Sequence, residues 1–93
     1  MRLERYLSKL AQQAMREALD LDENKPALLR RTADPKFGDY QINGAMPLAK
    51  ELGKPPRELA GPLAVRMTED DAVWSAEVAG PGFINIRLSA HAL

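Results

Sequence analysis

The N-terminal part of the chain places apolar side chains three, four and seven positions apart. This spacing predicts an amphipathic helix over residues 3–19. Its predicted buried stripe consists of Leu3, Tyr6, Leu7, Leu10, Ala14 and Ala18. Pro26 cannot continue a helix and biases Lys25 towards an extended backbone, so the helix should end before it. The charged opposite face is typical of a solvated scaffold helix.

The middle of the chain changes period twice. Residues 27–32 form a short candidate strand, and Pro35 then keeps the backbone extended in a loop. A helical period begins again at Ile42 and continues to Leu52, before Gly53 at a position that suits a left-handed C-terminal cap. The helix either begins at Asn43, which suits an N-cap, or begins earlier and bends at Pro47.

A further helix should begin at Pro56, because proline fits the first position of a helix. Its predicted buried stripe consists of Leu59, Ala60, Leu63, Ala64 and Met67. The pair Gly61-Pro62 interrupts this pattern, since proline removes a backbone hydrogen bond and crowds the carbonyl of Glu58. We therefore expect a kink or a helix in two pieces.

The C-terminal third alternates with a period of two, which is typical of half-buried strands. Residues 73–79, with Trp74, Ala76 and Val78 on one face, and residues 83–88 predict an antiparallel hairpin. Gly80-Pro81-Gly82 between them fits a type II turn. The whole order predicts one α+β domain over residues 1–93, with about three helices on one face of an antiparallel sheet of three to four strands.

Composition limits the classes of protein. The chain has no cysteine, which excludes disulfides and cysteine-ligated zinc and fits a cytoplasmic protein. No apolar run approaches the roughly 20 residues that span a bilayer, so we expect no membrane partner. Net charge is zero, but residues 25–66 hold eight basic and four acidic side chains. This basic middle fits either a phosphate-facing surface or ordinary solvated surface.

Catalytic and metal-binding groups are sparse. His91 is the single histidine and lies in the trailing segment, so we expect neither a Ser-His-Asp set nor a metal site. Gly80-Pro81-Gly82 lacks the lysine and the following helix of a phosphate loop. We predict no catalytic residues and no cofactor for this chain.

The junction between the first predicted strand and the second predicted helix, residues 36–43, has a different chemistry. Phe37 and Tyr40 offer flat faces for stacking, while the amides of Gln41 and Asn43 donate and accept hydrogen bonds. These groups suit an unstacked base. Tyr40 has two open interpretations, which are core packing with a solvated hydroxyl and stacking on RNA.

Several segments resemble, in the same order, the N-terminal additional domain of arginyl-tRNA synthetase. They are FGDYQINGAM at 37–46 with LAKELG at 48–53, PRELA at 56–60 and VAGPGFINI at 78–86. The resemblance implies a class I enzyme that attaches arginine to its tRNA with ATP and magnesium. It also implies that this domain is non-catalytic, contacts the tRNA D-loop at the outer corner, and adjoins a catalytic body absent from these residues. DNA is not an implied partner.

Carried onto this sequence, the resemblance gives a tRNA-binding set of Arg31, Lys36, Phe37, Tyr40, Gln41 and Asn43. Gly38 and Asp39 are interpreted as structural, and Asn85 as a residue that bonds within the sheet. Pro47 and Gly61-Pro62 depart from the family pattern. The alternative function is a protein-interaction or dimerisation module, which should expose an apolar patch larger than a few hundred Å². The chain would be either an excised fragment or a free-standing paralogue.

Overall fold

The computed structural model describes residues 2–90, which form three helices and four strands. The helices are α1 (Arg2–Ala18), α2 (Ala45–Leu52) and α3 (Pro56–Met67). The strands are β1 (Leu29–Arg31), β2 (Tyr40–Ile42), β3 (Val73–Ala79) and β4 (Phe83–Leu88). A single turn of 3-10 helix, Pro35–Phe37, precedes β2. The α+β prediction and the C-terminal hairpin are confirmed.

The four strands form one antiparallel sheet in the order β1-β2-β4-β3. Alternation along β4 divides the sheet into two faces: Ile84, Ile86 and Leu88 are buried, whereas Asn85 and Arg87 are not. The buried face packs against the helices in a single hydrophobic core. We call the opposite side, which contains Gln41, Asn85 and Arg87, the open face.

The buried stripe of α1 is rotated from the predicted one. Leu7, Ala11, Ala14 and Met15 are buried, whereas the side chain of Tyr6 is 48% exposed. Small side chains at Ala11 and Ala14 let α1 lie close to α3, which places Tyr6 at the rim. There its hydroxyl donates to Asp70 Oδ2 over 2.6 Å.

This contact gives a pH-dependent prediction. The hydrogen bond to Asp70, followed by desolvation and the negative charges of Asp70 and Asp71, raises the pKa of Tyr6. The neutral phenol should therefore stabilise the fold below its ordinary pKa of about 10, and this contribution should be lost as pH rises through the higher folded-state pKa. Ultraviolet titration of the native protein should show Tyr6 ionising above its ordinary pKa. Asp70→Asn should lower that pKa, and an unchanged titration curve would contradict the assignment.

The N-terminus of α2 corrects the predicted cap. Gly44, not Asn43, is the N-cap, and it makes no side-chain cap bond. A Cβ at Gly44 would collide with the carbonyl oxygen of Pro26 and lie 2.8 Å from that of Ala27, so the close approach of these backbones fixes the helix start. Pro47 consequently lies in the first turn, where its missing N–H leaves no intrahelical bond unmade.

Helix α3 is continuous through Gly61-Pro62, so the prediction of two pieces is wrong. Gly61 has no Cβ and thereby avoids part of the clash that a residue makes with a following proline ring. Pro62 lies on the exposed side, and the predicted buried stripe of α3 is confirmed.

The hairpin turn is not type II. The closing bond runs from Gly82 N to Ala79 O over 3.3 Å, which makes Gly80 the second turn residue. Gly80 has a φ of 55°, and a positive φ at this position is typical of the primed turns that suit hairpins. The tip is held against α3, since Arg57 Nη1 donates to Gly80 O.

Strand β3 also differs from the simple alternation. A β-bulge between Val73 and Ser75 makes Trp74 the extra residue of the strand. Val73 therefore joins Ala76 and Val78 on the helix side, and Trp74 is 74% exposed. The prediction that Trp74 shares a face with Ala76 and Val78 is wrong, because the inserted residue reverses the alternation before Ser75.

Candidate nucleic-acid interface

The corner before β2 is built from local contacts. The side chain of Asp34 caps the 3-10 turn by accepting from Lys36 N over 3.0 Å, with Pro35 as its first residue. The turn leaves the Phe37 ring 45% exposed, although phenylalanine is usually buried. The ammonium of Lys36 lies 5.2 Å from the centroid of that ring.

Gly38 and Asp39 fix this corner to the centre of the sheet. Gly38 has a φ of 92°, and a Cβ there would lie 2.6 Å from the carbonyl oxygen of Ile86. Asp39 N donates to the same oxygen over 2.7 Å, while Asp39 Oδ2 accepts from Leu88 N over 2.8 Å. The structural interpretation of both residues is confirmed.

A polar row crosses the open face from one edge strand to the other. The strand registers align Arg30, Gln41, Asn85 and Glu77. At the centre of this row Gln41 Nε2 donates to Asn85 Oδ1 over 2.9 Å. That bond holds the two amides in a fixed relation, with other polar atoms of each amide directed elsewhere.

A shallow hollow of about 280 Å³ lies between this row and the corner. It is lined by Arg30, Arg31, Thr32, Ala33, Asp34, Phe37 and Gln41. The ring of Phe37, the guanidinium of Arg30, which makes no ion pair among residues 2–90, and the amide of Gln41 thus surround one space. Such a set can stack on a flat ring, bond its edge and approach a phosphate.

Tyr40 lies on the other face. Its ring is only 3% exposed within the core, and its hydroxyl donates to Glu4 Oε1 over 3.2 Å. Arg31 lies beside it, with the guanidinium 5.9 Å from the ring centroid and 3.7 Å from Glu4. The hydrogen bond to Tyr40, with the charge of Glu4, raises the pKa of Arg31. Core packing with a bonded hydroxyl is therefore the interpretation of Tyr40 that the structure shows.

The remaining predicted residues lie apart. Asn43 Nδ2 contacts Leu28 O at 3.5 Å, beyond the opposite end of β2. Lys36 and Asp34 approach to 4.0 Å at the corner. Phe37, Gln41 and Arg31 meet at the hollow, with Lys36 beside Phe37, whereas Tyr40 and Asn43 do not join them. The residue His91 lies outside the described residues.

Sequence reasoning left Asn85 out of the candidate site. The alternation of Ile84, Asn85 and Ile86 already placed it on the polar face. Its pairing with Gln41 depends on β2 lying beside β4, and the residues between these two strands contain no local pattern that predicts this strand order.

The basic middle of the chain is not one positive surface. Lys25 pairs with Glu23 and Glu51, while Arg66 pairs with Glu17 and Glu69 on another side of the domain. Among residues 2–90, Arg30 and Arg87 make no ion pair, and both belong to the open face. Lys50, Lys54 and Arg57 of the basic middle also make no ion pair among these residues, so the open face holds only part of the positive charge available to a phosphate.

A four-stranded antiparallel sheet with three helices on one face and a polar open face defines a small α+β domain of two layers. Residues 5–88 match the family model described as the arginyl tRNA synthetase N terminal domain. The chain belongs to this family. Within residues 2–90, no helix is both long enough and apolar enough to cross a membrane.

Relatives and a solved structure agree with this assignment. An arginine–tRNA ligase of Hyphomonas neptunium is 57% identical over 70% of the chain and 11% of that protein. One from Vibrio vulnificus is 42% identical over 100% of the chain and 16% of that protein. The arginyl-tRNA synthetase of Thermus thermophilus superposes with a TM-score of 0.73 at 33% identity, over 95% of this chain and 14% of that one. The chain thus spans less than a fifth of the relatives it matches.

Proposed function

We propose that this chain is a non-catalytic tRNA-positioning domain of an arginine–tRNA ligase and that its open face contacts the tRNA D-loop. The observation that carries the proposal is the hollow lined by Phe37, Arg30 and Gln41, whose amide Nε2 donates to Asn85 on the neighbouring strand. Family membership supports it, since the solved relatives are arginyl-tRNA synthetases. A D-loop offers unstacked bases, which are the usual targets of aromatic and amide groups on a sheet.

The expected strength of this contact suits positioning rather than capture. One stacked base contributes about 1–3 kcal/mol, and each phosphate contact adds a salt-dependent increment. The open face offers one exposed ring in the hollow and few unpaired cations, so the isolated domain should bind tRNA weakly, with an affinity that falls as the salt concentration rises. In the whole ligase, the same energy would orient a tRNA that other surfaces also hold.

The reaction itself is assigned to the remainder of the parent enzyme. ATP, magnesium and arginine would bind in a catalytic body that is the second partner of this domain. The proposal places the protein in the cytoplasm, where the tRNA substrate of a ligase is found.

Replacing Phe37 with alanine tests the proposal. The variant should weaken binding of an arginine tRNA transcript by about 5- to 100-fold, because one stacking face is lost. Gln41→Ala should weaken it by about 5-fold or more, since it removes one edge contact and frees Asn85. Both can be measured by fluorescence anisotropy with labelled tRNA at two salt concentrations.

Val65→Ala is the matched control, since Val65 is an exposed apolar residue of α3 on the helix side. It should leave tRNA affinity unchanged. If the Phe37 and Gln41 variants fold normally and also bind tRNA as the unaltered chain does, the proposal is wrong. Self-association that the Phe37 variant abolishes would instead indicate a protein-interaction module.

A further inference from the structure

The feature that the proposed function leaves unexplained is Trp74. It is the single tryptophan of the chain, and 74% of its side chain is exposed. The bulge sets Trp74 and Ser75 together against Arg87 of the neighbouring strand. Bulges commonly re-aim a side chain for binding, and this one turns a large apolar ring outward beside Arg87.

Trp74 and Phe37 lie near the same end of the sheet. Gly38 contacts the carbonyl of Ile86, and the next residue along β4 is Arg87. Arg87 in turn opposes the bulge. The order across this end is therefore Phe37 at the corner, Arg87 on the central strand and Trp74 on the edge strand.

We propose that Trp74 and Arg87 form a second nucleotide position on the open face, which holds another unpaired base of the same RNA. Trp74 stacks on the base, and Arg87 contacts the phosphate between this base and the one at Phe37. This inference rests on the proposed function and extends it from one nucleotide to a single-stranded segment.

The spacing fits such a segment. Neighbouring strands lie about 4.8 Å apart, so the two strand intervals from β2 to β3 separate the positions by roughly 10 Å. That distance is too long for two bases stacked directly on one another at about 3.4 Å. It suits bases splayed apart in a loop, which a regular duplex does not present.

The polar character of the open face favours RNA over a protein partner. Arg30 and Arg87 flank the Gln41–Asn85 pair, and neither makes an ion pair among the described residues. Three carboxylates lie near this surface. Glu77 lies opposite Asn85, one row away from Arg87 and the bulge, Asp34 lies at the hollow 4.0 Å from Lys36, and the exposed Asp71 precedes Trp74 by three residues. The surface between the two rings is polar, whereas a protein interface usually has an apolar centre.

The single tryptophan provides a direct probe. The domain has a core formed by all three helices and three of its strands, and no buried side-chain polar atom among residues 2–90 lacks a hydrogen-bond partner, so the 93-residue chain can be titrated as it is. Addition of an arginine tRNA transcript should quench tryptophan emission with the same Kd that anisotropy gives. A perfectly paired RNA duplex without a loop should not quench it.

Variants separate the two positions. Trp74→Ala should weaken tRNA binding by about 5- to 100-fold, whereas Trp74→Phe, which keeps a stacking face, should recover most of the affinity. Arg87→Gln should weaken binding and reduce the slope of log affinity against log salt by about one, as expected for one lost phosphate contact.

The outcomes distinguish this inference from the proposed function. Three results together would overturn the second position and leave the first intact. The tryptophan emission of the unaltered chain would not change on addition of tRNA, Trp74→Ala would bind tRNA with wild-type affinity, and Phe37→Ala would still weaken binding. If Trp74→Ala and Phe37→Ala both bind tRNA with wild-type affinity, this inference and the proposed function are both wrong. Loss of self-association in Trp74→Ala without a change in tRNA affinity would identify the edge as a protein interface and also overturn the inference.

Discussion

Gly38→Ala is expected to lower the free energy of unfolding by about 2–4 kcal/mol. A positive φ of 92° disfavours any side chain, and the added Cβ would lie 2.6 Å from the carbonyl oxygen of Ile86. Because that carbonyl belongs to the central strand β4 and already accepts from Asp39 N, it cannot move without disturbing the β2–β4 ladder. For a chain of this size the loss corresponds to a fall in Tm of roughly 10–25 °C.

Gly53→Ala measures what a side chain costs at a left-handed helical position without a clash, which is a milder backbone conformation than that of Gly38 (φ 92°, ψ −160°). Gly53 also has a positive φ, of 67°, but no atom lies within 4 Å of the position that a Cβ would take. Its replacement should therefore cost only about 1 kcal/mol. Urea unfolding of both variants measures the difference. Equal losses would mean that neither the close approach to Ile86 nor the glycine-specific backbone conformation of Gly38 adds to the ordinary cost of a left-handed position.

The parts of the fold that follow a regular period were predictable. The buried stripe of α3 and the alternation of β4 were both visible in the sequence, because each is a regular spacing of apolar residues that repeats along the whole element. The rotated stripe of α1 was not, since Tyr6 is apolar enough to extend the stripe. Its hydroxyl instead donates a hydrogen bond to Asp70, a residue that is distant in sequence and that no local pattern identifies as its partner.

The predictions from sequence are wrong where a single residue changes the local backbone geometry. Trp74 fits the alternation of β3, yet a single bulge turns it outward. Gly44 begins α2 because the backbone at Ala27 is close, and no local pattern reports such a tertiary approach. Gly61 permits a proline inside α3, although the proline alone suggested a break.

The candidate site was predicted in part. Residue types singled out Phe37 and Gln41, which do meet at the hollow, but they could not separate the two faces of β2. Tyr40 and Gln41 are adjacent in the chain and therefore point to opposite sides of the sheet. The partner of Gln41, Asn85, required the strand order, which a sequence without covariation does not contain.

Ile86→Ala is expected to lower the free energy of unfolding by about 3–4 kcal/mol, since Ile86 is fully buried at the centre of the sheet. It lies between Tyr40 of β2 and Ala76 of β3, so the cavity would open where the two halves of the sheet meet. Ile86→Val, which removes one methylene, should cost about 0.5–1.5 kcal/mol. Urea unfolding with an unchanged m-value provides the measurement.

Ile86→Ala also tests whether the stability of the domain and its tRNA binding are separable. The side chain of Ile86 faces the helices, whereas the proposed RNA surface is on the opposite face and is fixed by the backbone of this residue. At a temperature where Ile86→Ala remains folded, its tRNA affinity should match that of the unaltered chain within about 2-fold. A larger loss would mean that the corner at Gly38 and Asp39 moves with the core. The hollow would then depend on packing beneath the sheet as well as on the residues that line it.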